Sequence, residues 1–132
     1  MDEKSLKADL VRELRSRVPW VVLRLETGQT TSGVPDIVVV GNHYTSWWEV
    51  KYADPDFTSK GIQELTCLRL AKHGFCRYII YSKVDDNKEI YIVPPSEFAK
   101  WQQSVNRRAG FDHNWVCDYI IRAHQHQFES DK

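Results

Sequence analysis

Residues 33–51 read GVPDIVVVGNHYTSWWEVK, and this stretch decides the fold. Two apolar runs, 37–40 and 47–50, flank a polar turn, 41–46. β-Branched and aromatic runs bounded by Gly, Asn and Ser form a β-hairpin. Three charges interrupt the apolar text: Asp36 where the first strand starts, and Glu49 and Lys51 where the second ends. Antiparallel pairing sets the start of one strand beside the end of the other, so Asp36 falls near Glu49 and Lys51. Residues i and i+2 share a face of a strand, so Glu49 and Lys51 point the same way. Ionised groups taken out of water are costly unless paired or metal-bound, so two carboxylates and an ammonium on an apolar sheet call for an explanation.

Outward from the hairpin, the elements follow from periodicity. Leu6, Leu10, Leu14 and Val18 recur at four-residue spacing with Val11 beside them, which predicts a helix over residues 3–17. In that reading Lys4, Lys7, Arg12 and Arg15 cover its other faces, and Pro19 ends it. WVVLRL (20–25) is a strand, and ETGQTTS (26–32) a polar loop. YADPDFT (52–58) is a turn broken by Asp54-Pro55. Ser59 is a candidate N-cap for a helix to His73, with Ile62, Leu65, Leu68, Leu70 and Ala71 as its apolar positions and Gly74 at its end. FCRYIIY (75–81) and EIYIV (89–93) are strands joined by a turn over 82–88. Pro94-Pro95 opens a short helix through Phe98 and Trp101, with Ser96 as candidate N-cap. Residues 102–112 are loop or frayed helix, and 114–127 regain helical spacing through Trp115, Tyr119, Ile120 and Ala123.

The order is α-β-β-β-α-β-β followed by C-terminal helices. It predicts an α/β fold with a mixed central β-sheet flanked by helices. The length of 132 residues suits one domain with one core, taken as a core over 1–95 and a helical extension of the same domain over 96–132. The 42% hydrophobic and 27% charged residues are ordinary for a soluble globular protein. No apolar run approaches the roughly 20 residues needed to cross a bilayer, which excludes a helical membrane protein. MDEKSLKADL carries acids and lacks the apolar run of a secretory signal. Cys67, Cys76 and Cys117 are odd in number and lack C-x-x-C spacing, so a reduced cytoplasmic setting is expected, two of them acting as buried hydrophobes. A net charge of zero argues against indiscriminate polyanion binding, though not against a local basic face.

The chemistry that suits the hairpin charges is a divalent metal site. Mg²⁺ takes oxygen ligands, commonly one or two carboxylates with water and substrate phosphate. Asp36 and Glu49 supply carboxylates, and the backbone carbonyl of Val50 between the functional side chains is a third oxygen. Lys51 is then placed to orient or deprotonate water, or to offset developing negative charge. A structural ion pair at the end of a hairpin is the plain alternative. His113, Cys117, His124 and His126 invite a zinc reading, but their spacing matches no common zinc pattern.

Pro35-Asp36 followed by Glu49-Val50-Lys51 resembles the signature of the PD-(D/E)XK nuclease superfamily. Gly33-Val34-Pro35-Asp36-Ile37, a short hairpin, Glu49-Val50-Lys51, then Gln63 and Gly74 are most similar to its VRR-NUC group of compact phage, bacterial and DNA-repair nucleases. The resemblance spans about residues 3–93. It implies a restriction-endonuclease-like core and a metal-dependent DNA endonuclease, structure-selective on branched DNA such as Holliday junctions. Asp36 and Glu49 would bind Mg²⁺ or Mn²⁺, Lys51 would be the catalytic lysine, and Gln63 would match the family's helix glutamine near the site. The family's first-helix glutamate falls on Glu3 or, alternatively, Glu13. A homodimer is also implied. Lys60, Arg24, Thr31 and Ser32 are candidate DNA contacts, with Arg69, Lys72 and Arg77 further off. The competing reading is a non-catalytic DNA-binding or protein-interaction module with the same fold.

Overall fold

The computed structural model describes residues 2–25, 34–53 and 61–130, with backbone alone for 61–64 and 126–130. Ser59, Lys60, Thr31, Ser32 and the 26–32 loop therefore lie outside the described residues. Helix α1 (Glu3–Arg17) starts at Asp2, whose side chain accepts the Ser5 N–H at 2.8 Å. This satisfies one of the donors that a helix start leaves open. Leu6, Leu10, Val11 and Leu14 are its buried stripe. Strands β1 (Val21–Arg24), β2 (Ile37–Val40) and β3 (Thr45–Ala53) follow as an antiparallel meander. Helix α2 (Gly61–His73) then carries the chain across the sheet, so that β4 (Phe75–Val84) runs parallel to β3. Strand β5 (Asn87–Val93) returns antiparallel to β4. A 3-10 helix (Pro95–Gln103), strand β6 (Arg107–Ala109) and helix α3 (His113–Ser130) complete the fold.

The sheet order is β1-β2-β3-β4-β5-β6, with β3–β4 the parallel pair. The mixed sheet flanked by helices predicted from the sequence is what the chain forms. Alternation along β3 feeds two apolar layers. Trp48 and Val50 pack on one side with α1 and with Val116, Cys117 and Ile120 of α3. Ala53 packs on the other side with Cys67 of α2 and with Phe98 and Trp101 of the 3-10 helix. No helix among the described residues is long and apolar enough to cross a membrane.

Five expectations are corrected. Residues 102–112 are not all loop or frayed helix, because Arg107–Ala109 pair with β5 as the sixth strand. All three of those residues are exposed, so an edge strand of charged side chains left no apolar alternation to read. The helix after Pro94 is capped by Pro94 with Pro95 as its first residue, and Ser96 is not the cap. Proline there gives up an N–H that has no helical partner anyway. On α2, Leu65 and Leu68 are 61% and 41% exposed, while Cys67, Leu70 and Ala71 form the inward stripe. Strands β3, β4 and β5 also run longer than expected; the β4–β5 turn shrinks to Asp85-Asp86, with Asp85 at φ 53°. All three cysteines, rather than two, are buried, and all are free.

Candidate active site

Asp36 sits just before β2, behind the buried Pro35. Its backbone is fixed by a 2.7 Å hydrogen bond from the Leu25 N–H to the Asp36 carbonyl. Pairing of Ile37 with Trp48 brings Asp36 alongside Glu49 and Val50. The Val50 N–H donates to Asp36 Oδ2 at 3.0 Å. The N–H and C=O of a strand residue face the same neighbour, so the Val50 carbonyl lies on the same edge of β3.

Glu49 is fully buried between Trp48 and Val50, which are themselves fully buried. Burial is the chief force that pushes its carboxyl up to about 10, and a hydrogen bond and negative charge from Asp36 push the same way. The positive charge of Lys51 opposes them. Glu49 therefore keeps its proton at neutral pH when no cation is present, and donates it toward Asp36. Lys51, two residues on, is half-buried on the same face of β3. Tyr78 of β4 is the direct neighbour of Glu49 in the sheet. Beneath lie Cys67 and Cys76, whose thiols share a hydrogen bond.

The sequence reading missed Lys7. Its place off the apolar stripe gives it no role in the site, yet its side chain is only 18% exposed and its Nζ lies 3.2 Å from Asp36 Oδ1. The signal was present: Lys7 is one helical turn before the buried Val11, at the rim of the apolar stripe. Glu3 is one turn before Lys7 on the same face of α1. Glu13, by contrast, faces α3, where its charge acts on His113 and Cys117. Gln63 lies in α2 one turn before Cys67, its side chain outside the described residues. Arg24 pairs with Ile37 beside Asp36 and lines a groove against α1. Arg77 stacks over Phe75 and bonds the Cys76 carbonyl, and so serves the fold. Arg69 and Lys72 are exposed on α2.

Among the described residues, no group of three or more His, Cys, Asp or Glu side chains is placed to hold a metal. His113 meets Tyr81 and His124 meets Ser46. The donor set at the hairpin is instead two carboxyls and a strand carbonyl. That all-oxygen set fits a hard cation such as Mg²⁺ or Mn²⁺, which completes its shell with water.

No family model matches the chain, and no curated protein matches it. Among solved structures, the chain is similar to Hjc, a Holliday junction resolvase from the archaeal hyperthermophile Archaeoglobus fulgidus. The identity is 16%, over 71% of this chain and 73% of that one, with a TM-score of 0.49. The likeness is loose and says nothing about the reaction.

Proposed function

We propose that the protein is a Mg²⁺- or Mn²⁺-dependent DNA endonuclease that hydrolyses phosphodiester bonds. The observation that carries the reading is the convergence of Glu49 on Asp36, a fully buried carboxyl held against a second one with Lys51 on the same strand face. A protein gains little stability from burying two acids together. The pair does suit a cation that replaces the shared proton.

Asp36, Glu49 and the Val50 carbonyl would hold the cation, with Glu3 the first-helix carboxylate nearest in position. The chemistry a cation supplies there is neutralisation of phosphate charge and activation of water. Glu49 would hold the cation as a carboxylate, its proton released to solvent. Lys51 either orients and deprotonates the attacking water or offsets charge on the phosphate, and Gln63 is proposed to touch the site or the DNA backbone. Branched DNA such as a Holliday junction is the proposed substrate, and a homodimer the proposed assembly; both come with the sequence resemblance.

Nicking of branched and linear DNA in Mn²⁺, by wild type and Lys51→Ala, tests the reading. Loss of cleavage in the variant is expected, and equal activity in both would sink it. The second reading, a non-catalytic module, draws on the Lys7–Asp36 ion pair, which already neutralises one proposed ligand. It predicts DNA binding with no cleavage in any divalent metal.

A further inference from the structure

The geometry points to a second anion site: the groove between α1 and β1 binds the phosphodiester backbone of a nucleic acid strand that leaves the candidate active site. The groove is a cavity of about 350 Å³ lined by Ala8, Val11, Arg12, Arg15 and Arg24. Among the described residues, three of the five that line it are arginines, in a chain whose net charge is zero. Ala8 supplies the opening, since its short side chain leaves room where the neighbouring positions are long.

The groove adjoins the site along the chain: Ala8 follows Lys7, which holds Asp36, and Arg24 pairs with Ile37, the residue after Asp36. A strand with a phosphate at Asp36 would meet Arg24 first, on the α1 side of the sheet. The three guanidiniums differ in freedom. Arg15 donates through Nε at 3.0 Å and Nη2 at 2.8 Å to the Val22 carbonyl, which fixes its plane and leaves further N–H groups to donate outward. Arg12 is 75% exposed and among the described residues meets only Asp9, an exposed pair one turn away that a phosphate readily displaces. Arg24 makes no ion pair among the described residues. A planar guanidinium binds phosphate oxygens in pairs, so one fixed and two adjustable forks suit a repeating phosphate better than a single small anion.

This inference rests on the nuclease reading for its direction, but its test does not. Binding of a labelled four-way DNA junction and a labelled linear duplex is measured in EDTA across a salt series, for wild type, Arg12→Ala/Arg24→Ala and Arg24→Lys. Arg15 is left in place because it holds β1. The double variant should bind about tenfold more weakly, and its slope of log affinity against log salt should fall by about 2, one for each lost phosphate contact. Arg24→Lys should keep the salt slope, which follows the charge, and lose part of the affinity, since an ammonium lacks the paired donors. Unchanged affinity and slope in the double variant would overturn the inference, as would equally tight, arginine-dependent binding of polyglutamate. If wild type cleaves nothing in Mn²⁺ while the salt slope still depends on Arg12 and Arg24, the nuclease reading fails and the groove stands.

Discussion

Lys7 Nζ lies 3.2 Å from Asp36 Oδ1, so in the metal-free protein a lysine of α1 stands where a cation would otherwise meet that carboxylate. Both side chains are less than one-fifth exposed, so the pair is only partly screened by water. Removing the ammonium leaves Asp36 with the Val50 N–H and the Glu49 proton as donors. Lys7→Gln should therefore lower the stability of the metal-free protein by about 1–2 kcal/mol, in the range for a charged hydrogen bond discounted for partial exposure. The same variant should bind Mn²⁺ more tightly, because the ion no longer competes with an ammonium. Urea unfolding in EDTA and calorimetric titration with Mn²⁺ check the two halves. Unchanged Mn²⁺ affinity would mean that Asp36 is not a ligand.

The buried Glu49 carboxyl makes stability depend on pH in an unusual direction. In the folded chain its proton is held up to about 10, against an ordinary value of 4.5. Between those values the folded state binds a proton that the unfolded state has lost, so stability falls as pH rises. The contribution is full below 4.5 and is drained progressively toward 10. Urea midpoints in EDTA should thus decline from mildly acidic to alkaline pH, and Glu49→Gln should flatten the decline. Saturating Mn²⁺ should also flatten it, since the metal-bound form needs the deprotonated carboxylate. A decline of the same steepness in Glu49→Gln would assign it to other groups.

The hairpin was legible because its signals are local. Ile37–Val40 and the residues around Trp48 form apolar runs within a few positions of a Gly-Asn turn, and strand geometry then brings Asp36 to Glu49 without help from the rest of the chain. Lys7 was not legible, because whether a lysine at the rim of a helix stripe reaches solvent or a carboxylate depends on how α1 crosses the sheet. The α2 stripe misled for a related reason. Leu65 and Leu68 outrank Cys67 in hydrophobicity, yet the pairing of β3 with β4 turns Cys67 toward Cys76 and Tyr78. Arg107–Ala109 pair with β5, and Arg107 also meets Tyr91 and Glu89, but three exposed residues leave no apolar alternation to detect.

His124 shows how the C-terminal helix is tied to the hairpin. Its ring stacks between Trp20 and Tyr44, with centroids 4.7 and 4.3 Å away. Its Nε2 lies 2.7 Å from Ser46 Oγ, which also accepts the Trp48 indole N–H at 2.7 Å. Ser46 Oγ thus links the His124 ring to the Trp48 indole. Burial pulls the His124 imidazole down to about 4 from 6.5. The unfolded state binds the extra proton in that window, so this contribution to stability is present above 6.5 and lost as pH falls toward 4. His124→Gln should remove that acid-side loss from the pH profile of the thermal midpoint. Gly41 makes the arrangement possible: a Cβ there would lie 2.5 Å from Nδ1 and 3.0 Å from Cε1 of His124. Gly41→Ala should cost about 1–3 kcal/mol as an overpacked contact, and a cost near zero would mean that the ring has another place to go.

The inward stripe of α1 and the outward leucines of α2 give a paired test of the two helix faces. Leu10 is fully buried among Leu6, Leu14, Val50 and Ile92, so truncation leaves a cavity that these neighbours cannot close. Leu10→Ala should cost about 2–5 kcal/mol. Leu65 is 61% exposed and keeps most of its surface in water in the folded state. Leu65→Ala should therefore change stability by less than about 0.5 kcal/mol in urea unfolding, alanine being the better helix former. A loss above about 1 kcal/mol for Leu65→Ala would show that in solution the α2 face is covered, and an accompanying shift in sedimentation between the two proteins would identify a second copy of the chain as the cover.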